Sequence, residues 1–361
     1  MGLFDFLSKK TADPFYNEGV DFFQYGTLLW QFKTGDRVDL SPVVWNGIVY
    51  IGSEDMNLYA IDAMTGKQKW RFATEGIVYS SPIVTNGMVY VGSAYGGMYA
   101  IDAVTGKEKW RFKRESRVYS SPAVSNGAIY VGIDGLYAID ATTGKEKWRF
   151  DEEGFAPSSP VAASGVVYVG SSDLRLLAID AITGKKRWQF WTGTGMGKDR
   201  LADLDSGPSL SAVVNGIIYV ASDDHNLYAI DAMTGKEKWR FETKGHVPSS
   251  PVVANGVVYV GSEYGELYAI DAARGRKKWL FTTRCGAIYS SPAAAKDFVY
   301  IGSEYGELYA IDAVTGKEKW RFKTERGVSS SPSVANGIIY VGSRDKNVYA
   351  LGENDAICHK E

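Results

Sequence analysis

One peptide recurs down this chain and constrains its architecture: Leu-Tyr-Ala-Ile-Asp-Ala-x-Thr-Gly-Lys-Glu-Lys-Trp-Arg-Phe. Its tryptophan stands at Trp30, Trp70, Trp110, Trp148, Trp188, Trp239, Trp279 and Trp320, at gaps of 40, 40, 38, 40, 51, 40 and 41 residues. So regular a period marks a repeat architecture, in which each unit buries its apolar surface against its neighbours. Trp30 lies in a Leu-Trp-Gln-Phe segment with no Tyr-Ala-Ile-Asp before it, whereas the last unit, 331–351, lacks only the tryptophan segment. Each end supplies what the other lacks, so the repeats are expected to close into a ring.

Each unit reads as four short strands, A to D. In the second unit Ser80-Ser81-Pro82-Ile83-Val84 opens strand A, and Asn86-Gly87 turns into strand B, 88–93. Ala94-Tyr95-Gly96-Gly97 turns into strand C, 98–102, and Thr105-Gly106-Lys107 into strand D, 109–112. Asn-Gly favours a tight primed hairpin, and glycine supplies positive φ. Strands B and C are nearly continuous apolar runs, as expected of sheets stacked on both faces. Strand A is small and polar, which suits the narrow axis, while the rings of strand D suit the wide rim. The prediction is an all-β, eight-bladed propeller of four-stranded antiparallel blades, its last blade completed by an N-terminal strand. The propeller is placed at 25–352, between tails at 1–24 and 353–361. Lys and Arg on strand D, such as Lys67, Lys69 and Arg71, are read as protecting an exposed edge.

The run Ala60-Ile61-Asp62-Ala63-Met64-Thr65-Gly66-Lys67-Gln68-Lys69-Trp70 resembles the tryptophan-docking repeat of the quinoprotein (pyrroloquinoline quinone, PQQ) β-propeller family, and recurs six more times up to Ala310–Trp320. The resemblance implies that the motif locks blade to blade, with Asp and Thr bonding their own turn. Enzymatic members are alcohol and glucose dehydrogenases that hold PQQ and calcium over the channel, covered by a disulfide between adjacent cysteines. Here the two cysteines are Cys285 and Cys358, and no motif matches the family's calcium ligands. The chain is similar instead to the non-enzymatic branch, which includes the propeller of the outer-membrane β-barrel assembly machinery.

Candidate sites lie where the repeat is irregular. Three residues before each strand-A proline stand Asp39, Tyr79, Tyr119, Pro157, Asp205, Pro248, Tyr289 and Ser329. Two residues earlier stand Arg37, Ile77, Arg117, Phe155, Asp203, His246, Ala287 and Gly327. These positions should ring one mouth of the channel, and their tyrosines and arginines suit recognition. Asp39 and Asp205 fall in blades one and five, on opposite sides of an eight-fold ring. The long gap places an insertion at 191–205, containing Trp191, Lys198, Asp199, Arg200 and Asp203, which is read as a surface loop. His225 is read as solvated, and with only His225, His246 and His359 in the chain no multi-histidine metal site is expected. Cys285, beside Arg284, is read as an inert thiol.

The function expected is a non-catalytic binding or assembly scaffold presenting the rim and channel mouth to a protein or extended polymer. The alternatives are a PQQ- and calcium-dependent dehydrogenase and a propeller that senses a small molecule or sugar. No cofactor is committed. The net charge of −2 provides no bulk field for nucleic acid or anionic membrane, and no apolar run is long enough for a spanning helix. A protein partner, no membrane insertion and a monomer are expected. The sequence as written carries neither a signal peptide nor a lipoprotein cysteine near its start and is read as cytoplasmic; the envelope is the compartment if a native leader has been removed.

Overall fold

The structure, a computed structural model, describes residues 26–152, 155, 157–193, 208–210, 213–284 and 286–352. Among these, 32 strands form eight four-stranded antiparallel sheets, with no helix. Blade 2 shows the pattern: strand A is Ile83–Thr85, B is Met88–Ser93, C is Gly97–Asp102 and D is Glu108–Phe112. The N-terminal strand Leu28–Lys33 is strand D of blade 8, antiparallel to Asn347–Gly352, with Trp30 opposite Ala350 and Phe32 opposite Val348. The ring therefore closes through both ends of the described chain, as its sequence implied. The tails at 1–24 and 353–361 lie outside the described residues.

Strands B and C are buried along almost their whole length because a neighbouring sheet covers each face. The core is accordingly eight interlocking layers, one per blade interface. Tyr50, Leu58 and Ala60 of blade 1 pack against Val89, Val91, Tyr99 and Ile101 of blade 2. The closing interface is built alike, from Trp30, Ile338, Tyr340 and Val348 against Val49, Ile51, Tyr59 and Ile61.

The repeated motif has a clear mechanical role. Trp70 donates its indole N–H to the Ala103 carbonyl of the next blade at 3.0 Å, and Tyr50 donates its hydroxyl to the same oxygen at 3.0 Å. The pair recurs as Trp30 and Tyr340 on Ala63, at 2.9 and 3.1 Å, and as Trp188 and Tyr168 on Ala232, at 3.2 and 2.9 Å. One carbonyl, with its two lone pairs, thus anchors two aromatic rings of the preceding blade. Beneath the indole lies a glycine: Gly106 has φ +68°, and a Cβ there would stand 2.7 Å from the Trp70 ring. Blade 8 has no such turn of its own, and Gly26 (φ +62°) lies against Trp320 in its place. Within the turn, Asp102 Oδ1 accepts the amide and hydroxyl of Thr105, both at 2.9 Å.

The inner segment differs from its sequence reading. Strand A begins after the proline, not at the serines. The serines join blades instead: the Ser81 amide donates to Ser121 Oγ at 2.9 Å, and Ser121 to Ser159 at 2.8 Å. Near the axis the neighbouring blade is close enough to replace the ladder, so the backbone donors are satisfied sideways.

Candidate functional site

The serine links form a relay around the channel wall. It runs from Ser250 through Ser291, Ser331, Ser41, Ser81 and Ser121 to Ser159, with each amide donating to the next hydroxyl at 2.8–3.2 Å. Among the described residues it does not continue through blade 5, where the sequence has Gly207 at the serine's position. A cavity of about 640 Å³ lies at this break, its lining including Arg117, Tyr119, Ser158, Ser159, Ser209 and Ser250.

Two predicted mouth residues, Arg117 and Tyr119, therefore line the cavity. Arg117 Nη1 donates to the Tyr119 hydroxyl at 2.8 Å, and its Nε donates to Tyr95 at 3.0 Å. Its guanidinium also lies 5.1 Å from the Tyr95 ring centre. Tyr79 packs on Tyr119 with ring centres 5.1 Å apart. Tyr95 and Tyr119 are both more than half exposed. The result is one aromatic and cationic ledge, the residue mix that anchors protein interfaces. Tyr95 was missed as a site residue because it sits in a B-to-C turn. There it is held at φ 65°, a left-handed conformation uncommon for a bulky residue.

Elsewhere on the mouth the predicted residues fall into separate groups. Asp39 accepts from Arg344 Nε at 3.1 Å, a partner the spacing argument did not find. Arg37 lines a second cavity of about 410 Å³ with Glu304, Tyr305, Glu325, Arg326 and Arg344. Tyr289 is exposed; burial and then the Glu304 and Glu263 carboxylates raise its phenol pKa. Asp205 lies outside the described residues, so the pairing of Asp39 with an opposite acid is not placed.

The two described histidines are together, not apart. The His225 and His246 rings meet edge to face at 4.6 Å, and His246 Nδ1 is buried without a partner among the described residues. His225 is thus half-buried against a ring from the next blade instead of being solvated, because the B-to-C turn of one blade leans on the D-to-A loop of its neighbour. Beside them Asp223 is pushed above the usual carboxylate range by burial, opposed by His246 and reinforced by Asp224 and Glu263. No group of three or more metal-ligating residues occurs among the described residues.

Of the insertion, Trp191 is described. It is exposed, with the Arg175 guanidinium 5.7 Å from its ring centre. Lys198, Asp199, Arg200 and Asp203 lie outside the described residues, as does Cys285. No helix of the described residues is long and apolar enough to cross a membrane.

The channel cavity can be tested against the cofactor of the quinoprotein enzymes. Among the described residues its lining is hydroxyl, proline and aliphatic, with Arg117 as the charged residue and no carboxylate. A calcium-bound quinone calls for acidic oxygen ligands. The described lining does not fit that group.

The fold matches several solved structures. BamB from Moraxella catarrhalis matches with a TM-score of 0.77 at 21% identity, over 91% of this chain and 99% of that one. The computationally designed Ika8 protein matches with a TM-score of 0.79 at 17% identity, over 91% and 100%. The quinohemoprotein alcohol dehydrogenase of Comamonas testosteroni matches with a TM-score of 0.72 at 19% identity, over 91% and 77%. At these identities the likeness is one of fold. No curated protein matches the sequence. The family profile described as outer membrane protein assembly factor BamB matches residues 20–132, 115–202, 189–287 and 283–357. With seven tryptophan N–H groups docked on the next blade's alanine carbonyl and that profile spanning nearly the whole chain, the protein belongs to the PQQ-like β-propeller family of the BamB type.

Proposed function

We propose that this chain is a non-catalytic assembly scaffold whose channel mouth holds a protein or an extended polymer. The observation that carries the reading is the ledge of Tyr79, Tyr95, Arg117 and Tyr119. Tyr95 and Tyr119 are more than half exposed and are joined by the Arg117 guanidinium, and the less exposed Tyr79 packs on Tyr119. Such groups bury large area at small entropic cost. The family description adds that a relative of this type takes part in outer membrane protein assembly, which makes the bacterial envelope the compartment to examine.

The test is capture from an envelope extract, with the full chain compared against R117A/Y119A. The reading requires a defined protein retained by the wild type and lost from the variant at an unchanged melting temperature. Equal capture by both would remove the ledge from the account.

A second reading is favoured by the cavity beside Ser159 and Ser250: a small polyhydroxylated ligand, held by hydroxyls and stacked on Tyr119. A sugar that raises the melting temperature of the wild type but not of R117A/Y119A would select it. The dehydrogenase alternative is tested by titrating PQQ with Ca²⁺ and following quinone absorbance and dye reduction with alcohols and sugars. Saturable binding with turnover would overturn the scaffold reading.

A further inference from the structure

We infer that the face opposite the mouth, built from the C-to-D and A-to-B turns, is a docking surface for an anionic lipid bilayer. The inference begins with what the repeat does not use. In the turn Asp-Ala-x-Thr-Gly-Lys, the aspartate and threonine bond each other, the alanine carbonyl accepts two rings, and the glycine lies under an indole. Two positions are left over, the variable residue x and the lysine.

Both face solvent. Position x holds Met64, Val104, Ile182, Met233 and Val314, which are 52, 66, 85, 83 and 80% exposed. In the two remaining described turns it is Thr142 and Ala273. The terminal cations are Lys67, Lys107, Lys145, Lys185, Lys236, Arg276 and Lys317, all exposed, and they form no ion pair among the described residues. Aliphatic groups and free cations thus alternate around one ring. Most exposed apolar residues need no explanation, but five at equivalent positions of one face form a pattern.

The nearby acids do not offset the cations. Six of the seven turn aspartates are already paired with the second cation of their D strand, as Lys69 holds Asp62 at 2.9 Å and Arg187 holds Asp180 at 2.6 Å, and Asp271 is paired with Arg274 of its own turn. Glu237, just past the turn, is held by Arg240 at 2.9 Å. The A-to-B turns that share this face, placed there by the bond from the Ala63 amide to the Gly47 carbonyl, are mostly Asn-Gly without charge; the exception, Lys296-Asp297 in blade 7, carries one charge of each sign. Glu54, Glu263, Glu304 and Glu325 lie at the mouth instead. The chain's small net negative charge therefore conceals one face that carries unpaired cations and a mouth where acids and arginines are mixed.

A bilayer fits this pattern better than other occupants. Aliphatic tips enter the boundary between headgroups and acyl chains while lysines remain among anionic headgroups. A flat and laterally fluid surface meets every blade of a ring at once. A second copy would set one ring of cations against another. Nucleic acid would satisfy the lysines but has no use for Ile182 or Met233.

The test is sedimentation of the full chain with vesicles of equal parts phosphatidylglycerol and phosphatidylcholine, against phosphatidylcholine alone. Binding is expected only to the anionic vesicles, and it should weaken with salt. Each lysine is expected to contribute about fivefold, so K107Q/K185Q/K236Q should lower partitioning roughly a hundredfold. I182S/M233S/V314S should lower it roughly tenfold or more. These side chains lie outside the core, so both variants should melt with the wild type; the salt dependence of the wild type tests the idea even if one does not fold. K244Q, altered on the mouth face, should bind as the wild type. Failure to sediment with anionic vesicles overturns the inference. So does a serine triple variant that binds normally while duplex DNA competes, which would make the ring a general polyanion surface. Equal loss from K244Q would place the contact on the other face.

Discussion

The ring of repeats is interrupted twice, and the two seams are built differently. At blade 8 the covalent chain is interrupted between strands C and D, which pair only by hydrogen bonds, yet the contacts from that blade to blade 1 persist: Trp30 and Tyr340 reach Ala63, and the Ser331 amide reaches Ser41. Between blades 4 and 5 the chain is continuous and carries the insertion. There the rim contact persists, with Trp188 and Tyr168 on Ala232, but among the described residues the serine relay does not. A cavity lies at that second seam. The contrast teaches that the rim holds the toroid together. The axis is the place where regularity can be given up to make a site.

The largest test of this contrast removes the first seam. Deleting residues 1–34 takes Trp30 and Phe32 from the closing core and leaves the edge of Asn347–Gly352 unpaired. The expected loss exceeds about 4 kcal/mol, with unfolding of the whole domain. A truncated chain that melts with the full one would refute closure by the clasp. Next come W30A and W188A, one at each seam. Both indoles dock alike, so denaturant titration should give each a loss of about 3–5 kcal/mol. A neutral W188A would mean that the insertion seam is held by something other than the rim.

Smaller effects sharpen the same comparison. Y340F and Y168F each remove one of two donors on an alanine carbonyl that keeps its tryptophan, so each should cost about 1 kcal/mol. A much larger loss at one seam would show that the seams are unequal at the rim as well.

The last test is acid. Asp102 is lowered to about 2, by the amide and hydroxyl of Thr105 and then by Lys109; Asp62, Asp140 and Asp312 are lowered too. A lowered carboxylate stabilises the fold above its unfolded pKa of about 4, and that contribution is lost as pH falls toward the folded value. Asp223, in the B-to-C turn of blade 5, is raised instead by burial, so its ionisation opposes folding and acid relieves it. D102N should therefore flatten the acid limb of the stability profile, whereas D223N should raise stability at neutral pH. Identical profiles for wild type and D102N would remove the turn aspartates from the account.

How much was legible follows from periodicity. Trp30 with no preceding Tyr-Ala-Ile-Asp, and 331–351 with no following tryptophan, implied the clasp before any coordinates. Aligning residues on the strand-A prolines placed Arg117 and Tyr119 at the mouth together. The same alignment could not find Tyr95 or Arg344. These belong to B-to-C turns, and their nearness to the D-to-A loops arises between blades. His225 was misread for that reason: within its own unit it looks like a turn residue, and only the next blade brings His246 to 4.6 Å.

The sequence by itself determined the number of blades, the order of strands and the closure of the ring, because a repeat that cannot bury its own faces has few ways to do so. Only the tertiary structure decided where the charges and open space went. Net charge is a sum over the whole chain, whereas binding depends on which face each group occupies. Among the described residues the fold put unpaired cations on one side, acids, arginines and tyrosines on the other, and a cavity where the serine relay is interrupted.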